Sequence, residues 1–202
     1  MSSIVIAGDS SGAVTIQAPS VAGTPTLTLP TTSGTIALTS GGGSPSFTTI
    51  TTTSDITVNG LTVGKGYGSV SSNTALGVTA LGSASLTGTQ NTAIGNLVLS
   101  STTSGALNTA IGNTAMQYNT TGNYNVALGQ VALVSNTTGS QNTAIGTQAL
   151  YSTTTSDANT AVGFQSLYNN TTSNNTAVGY KSLFTNTSGT ENVAVGLQAL
   201  TA

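Results

Sequence analysis

The sequence predicts an all-β fold: an elongated β-solenoid, or β-roll, of ~17-residue coils behind a small N-terminal β domain. Three observations lead there. The phrase Asn, Thr or Val, Ala, an aliphatic residue and Gly restarts eight times, at Asn73, Asn91, Asn108, Asn125, Asn142, Asn159, Asn175 and Asn192, with steps of 18, 17, 17, 17, 17, 16 and 17 residues. A Leu or Met follows each Gly by four residues: Leu81, Leu99, Met116, Leu133, Leu150, Leu167, Leu183 and Leu200. Finally, Thr, Ser, Asn and Gly supply the polarity, with no 3.6-residue apolar stripe, so helix is excluded.

Taken in order, residues 1–40 read as short β-branched strands (3–7, 13–18, 24–29 and 35–38) divided by Gly8-Asp9, the 19–23 segment and Ser33-Gly34. Pro30, lacking an N–H, ends the alternation that begins at Thr24. Residues 41–46, Gly-Gly-Gly-Ser-Pro-Ser, form a linker and the clearest domain boundary. Residues 47–72 are a β connector whose Ile56-Thr-Val and Leu61-Thr-Val runs flank a turn at Asn59-Gly60. Residues 73–202 are the eight-coil repeat domain.

Within one repeat, Asn142 to Ala158, residues 143–145 read as a strand and Gly146 as a residue placed where a side chain is forbidden. Ala149-Leu150-Tyr151 reads as a second short strand and residues 152–157 as a polar turn. By strand alternation the Thr/Val column and the aliphatic column two residues later share one side, and the intervening Ala takes the other. The expectation is a coil interior of Thr/Val and Ile/Leu. The column Ala75, Ala93, Ala110, Ala127, Ala144, Ala161, Ala177 and Ala194 would then pack against another chain. The eight Asn residues that open the repeats are expected to form a structural ladder of stacked amides. A 17-residue coil encloses little volume, and one thin roll ~38 Å long offsets its chain entropy poorly. Three rolls around an axis would bury more surface and hide sheet edges, so a homotrimer is expected.

Composition narrows function. Only 3% of the 202 residues are charged, namely Asp9, Asp55, Lys65, Asp157, Lys181 and Glu191, against roughly a quarter in an ordinary globular domain. Net charge −2 with abundant Thr, Val and Ile argues against disorder over the repeats. Two Lys and no Arg leave no phosphate-binding footprint, so no nucleic-acid partner is expected. No apolar run is long enough for membrane insertion, and the first residues lack a secretory signal. A protein made in, and retained by, the cytoplasm unless carried out within a larger particle is expected.

With no His or Cys, catalytic triads and zinc sites are excluded, and no cofactor, metal or enzymatic activity is expected. Asp157 and Glu191, two coils apart, would lie roughly 10 Å apart along the axis, marginal for a paired-carboxylate site, and their places within the coil differ, so isolated surface charges are expected. Gly64-Lys-Gly-Tyr-Gly-Ser lacks the spacing of a phosphate loop and reads as a linker. Tyr151, Tyr168 and Phe184 follow the Leu of coils five to seven, while Phe164 and Tyr180 follow the Gly of coils six and seven. These aromatics are either a receptor-facing stripe or packing that closes the roll or the trimer axis.

The pentads, and above all the run from Thr137 through Asn142-Thr-Ala-Ile-Gly to Leu150, resemble two groups. One is bacteriophage tail fibres, in which such arrays are common. The other is the β-roll head of trimeric autotransporter adhesins. Residues 12–38 also look like the start of fibres from phages of aquatic bacteria. Lacking a signal and an anchoring barrel, the chain is more similar to the phage group. That resemblance implies a homotrimeric fibre, a virion tail appendage made in the host cytoplasm. Residues 1–40 would dock to a tail or baseplate protein, and the roll would reach a host cell-surface glycan or protein. The alternatives are a bacterial cell-surface adhesin fragment and an ice-binding solenoid. The latter is disfavoured because it needs paired Thr columns, and Val126 and Val193 interrupt the single one here.

Overall fold

A computed structural model of the chain describes residues 56–58, 61–67 and 70–201. The expected strands of residues 1–40 and the linker at 41–46 lie outside these. The described residues are all-β, in one ten-stranded sheet whose spatial order follows the chain. Strands β1 (Ile56–Val58) and β2 (Leu61–Gly64) pair antiparallel with Val58 opposite Leu61, so two residues connect them. β2 also pairs antiparallel with β3 (Thr74–Gly77), which places Val63 beside Leu76.

From β3 onward every pairing is parallel. The strands β4 (Thr92–Ile94), β5 (Thr109–Ile111), β6 (Val126–Leu128), β7 (Thr143–Ile145), β8 (Thr160–Val162), β9 (Thr176–Val178) and β10 (Val193–Val195) stack like on like: Ala93 beside Ala110, Ile94 beside Ile111. This is a β-solenoid with one strand per coil and seven complete turns between β3 and β10. The 18- and 16-residue steps leave the register intact, Thr74 beside Thr92 and Thr160 beside Thr176. Their length differences fall in the polar turn between the core Leu and the next Asn, where an extra residue disturbs no column.

No second strand forms. Residues 149–151 lie in a turn in which Gln148 and Leu150 have φ of 60° and 51°. The same two positions are left-handed in all eight coils, as is the residue before most of the opening Asn residues. Each such residue costs about 1–2 kcal/mol. Hydrogen bonds to neighbouring coils offset that cost: Leu150 N–H donates to Ser166 O (3.1 Å) and Gln148 N–H to Gln130 O (3.1 Å). The ladder therefore runs around the coil as well as through the sheet, and few interior backbone groups are orphaned.

The interior is the reverse of the expected one. The alanines from Ala75 to Ala194 are 0–4% exposed and point into their own coil. The Thr/Val and Ile/Leu/Val columns face outward, half-buried or exposed, Leu128 at 45%. Volume explains the inversion. Each coil must already hold its Leu or Met and the small residue before it, such as Ala115 and Met116, both fully buried. A coil of about 17 residues then leaves room for only a methyl at the strand centre. The columns alternate as expected, but the Ala side is the interior.

Candidate functional site

Around this narrow core the polar columns are structural. At all seven steps the backbone N–H of one opening Asn donates to the side-chain oxygen of the Asn one coil earlier, at 2.8–3.0 Å. The amide nitrogen reaches the carbonyl of the turn that closes its own repeat, as Asn108 Nδ2 to Gly122 O and Asn125 Nδ2 to Gly139 O, both 2.8 Å. Asn73, Asn91, Asn108, Asn125, Asn142, Asn159 and Asn175 are at most 5% exposed, and Asn192, in the last coil, is half-buried. Both ends of each interior amide are thus engaged within the chain.

A second column stands three residues after the core Leu, buried at Asn119, Asn136 and Asn170 and half-buried at Asn186, with the buried Thr102 and Thr153 in the same slot. Asn136 Nδ2 donates to Asn119 Oδ1 (2.8 Å) and Asn186 Nδ2 to Asn170 Oδ1 (2.8 Å). The spacing is visible in the sequence, within the polar turns. A third, shallower strip caps backbone N–H groups one coil back: Asn123 N–H donates to Ser140 Oγ (3.1 Å), Ser140 N–H to Asp157 Oδ1 (2.7 Å), and Asp157 N–H to Ser173 Oγ (3.0 Å). Asp157 therefore occupies a slot that Ser and Asn fill elsewhere. Asp9 and Asp55 lie outside the described residues. Among those described, no group of three or more His, Cys, Asp or Glu is arranged to hold a metal ion.

Two surfaces remain without an intramolecular explanation. The first is the outer face of the sheet, where an apolar column runs Val63, Leu76, Ile94, Ile111, Leu128, Ile145, Val162, Val178, Val195 beside the Thr/Val column. It carries no charged residue. The second is the aromatic corner. Tyr151 and Tyr168 stack at 4.8 Å between ring centroids, Tyr168 and Phe184 at 5.1 Å, and Phe164 and Tyr180 at 5.5 Å, all within 15° of parallel. Tyr151, Tyr168 and Phe184 are half-buried; Phe164 and Tyr180 are exposed. Lys181 lies with Nζ 5.4 Å from the Tyr180 ring centre and 5.3 Å from that of Phe184. The sequence reading singled out the rings and overlooked the lysine between them. Comparison with protein-family profiles, curated proteins and solved structures finds no match to this chain.

Proposed function

We propose that the chain is a structural fibre of a bacteriophage tail, working as a homotrimer that extends from the virion and contributes to host adhesion. The outer sheet face is the observation that carries this reading. From β2 to β10 it is about 40 Å long and about 12 Å wide, an area on the order of 450 Å². That matches the largest apolar patch found on a typical monomer, a size that often marks a functional contact. Copies of the same chain repeat the same rung spacing, so their faces match along the whole length. Two faces pressed together would leave both long flanks of a two-residue-wide seam in water. Three faces around an axis close the core on every side and bury on the order of 1,000 Å² or more in total. In this arrangement the Thr/Val and Ile/Leu/Val columns, rather than the alanines, meet the partner.

Sedimentation of purified protein at micromolar concentration tests the assembly: a trimer is expected, and a stable folded monomer would overturn it. Immuno-electron microscopy of intact particles tests the location, with label along a tail appendage expected and label on a cell surface favouring the adhesin alternative. Tyr168→Ala and Tyr180→Ala are expected to leave the trimer intact and to lower host adsorption. One observation favours a second reading, ice binding: the Thr column faces outward on a regular parallel sheet. Thermal hysteresis in purified protein would support it, and its absence would close it.

A further inference from the structure

The aromatic corner departs from the repeat in a directed way. The column after each strand Gly reads Val78, Asn96, Asn113, Gln130, Thr147 before it turns to Phe164 and Tyr180. The column after each core Leu changes likewise, from Gly82, Ser100, Gln117 and Val134 to Tyr151, Tyr168 and Phe184. Between the two columns along the chain come Gln148, Gln165 and Lys181, one per coil, all with left-handed backbones. Gln165 Nε2 donates to Gln148 Oε1 at 2.7 Å, and Lys181 extends that line with a charge. Lys181 is the only basic residue between 73 and 202.

Packing explains only part of this. Stacking consumes most ring faces, so the two columns tie coils five to seven together and leave few ring faces open. Lys181 is placed against both columns, and among the described residues no carboxylate pairs with it. Nor do the hydroxyls of Tyr151, Tyr168 and Tyr180 have a hydrogen-bond partner within the described residues. The corner thus offers an ammonium held over ring faces, unused phenolic donors and a line of amides. An ammonium suits an anion, the amides and phenols suit hydroxyl groups, and a ring face suits the C–H side of a pyranose.

We propose that this corner is a binding site for an acidic saccharide. The sugar carboxylate pairs with Lys181, its C–H face rests against Tyr180 or Phe184, and its hydroxyls meet Gln165 and the tyrosine hydroxyls. The proposal deepens the adhesive part of the fibre reading by naming the ligand class, and its role on a virion rests on that reading. The binding itself does not, because the purified chain can be tested alone.

The experiment is a glycan array of uronic-acid, sialic-acid and neutral oligosaccharides, with carboxyl-reduced forms of the acidic ones. It is followed by titration calorimetry with the strongest binder. The expected result is retention of acidic glycans and loss of binding on carboxyl reduction. Lys181→Gln should weaken binding at least about tenfold, with Lys181→Arg keeping most of it and Lys65→Gln none the weaker. Unchanged thermal melting of Lys181→Gln would show that its effect is local. No retention of any acidic glycan, equal retention of the carboxyl-reduced forms, or full affinity in Lys181→Gln would each overturn the site. None of those outcomes would alter where the protein sits on a particle, which the microscopy decides separately.

Discussion

Asn136 is fully buried and its side-chain oxygen has no partner, because the next coil puts Thr153 where the ladder needs an amide. The Thr153 hydroxyl instead donates to Asn170 O at 2.9 Å. Thr153→Asn should complete the column, accepting from Asn170 and donating to Asn136. A gain of about 1 kcal/mol is expected, seen as a melting temperature raised by roughly 2–4 °C. Gly129 makes the opposite case. Its φ is 137°, and a Cβ there would stand 2.7 Å from both the carbonyl carbon and the oxygen of Gly146. Gly129→Ala should cost about 3 kcal/mol or more, measurable by chemical denaturation, since neither the backbone angle nor the neighbouring coil can give way. The sequence made this requirement legible, for only Gly occupies that slot in eight repeats. It did not reveal that Leu, Gln and Thr hold left-handed turns, because these residues carry no turn preference and adopt the angle only when the ladder from the next coil holds them.

A single strand of this solenoid has two faces of opposite tolerance, and this can be tested within β7. Ala144 is fully buried, so Ala144→Leu adds three carbons to a coil with no room, costing about 1–3 kcal/mol or more and broadening the melting transition. Its neighbour Ile145 is 36% exposed and faces outward. Ile145→Thr should leave the coil itself folded, with an unchanged circular dichroism spectrum. If Ala144→Leu were harmless and Ile145→Thr disruptive, the original inside-out assignment would be right after all. Alternation alone cannot choose between the two, because a Thr-Ala-Ile strand is equally regular read from either side. The choice depends on what else the coil must contain, and the core Leu comes six residues after the buried Ala.

At the level of the whole molecule, charge contributes little and packed columns contribute most. With six charged residues in 202, melting temperature should change by no more than a degree or two between low and high salt. Assembly should depend instead on the outer face. Leu128→Lys together with Ile145→Lys places two charges where the proposed copies meet, and sedimentation should then show dissociation while the β-sheet signal persists. Loss of the sheet signal in step with dissociation would mean that the coils cannot stand alone, which dilution of the unsubstituted protein measures separately.

The repeat length, the strand in each coil, the obligatory glycine and the opening Asn ladder were all determined by the sequence itself, since each is a local requirement repeated eight times. The face that Ala takes, the left-handed turn in place of a second strand, the second Asn column and the meeting of Lys181 with two aromatic stacks were decided only in three dimensions. The reason is physical. Periodicity reports which residues share an environment, but which side of a strand becomes the interior is set by the volume the closed coil encloses. Only the folded path measures that volume.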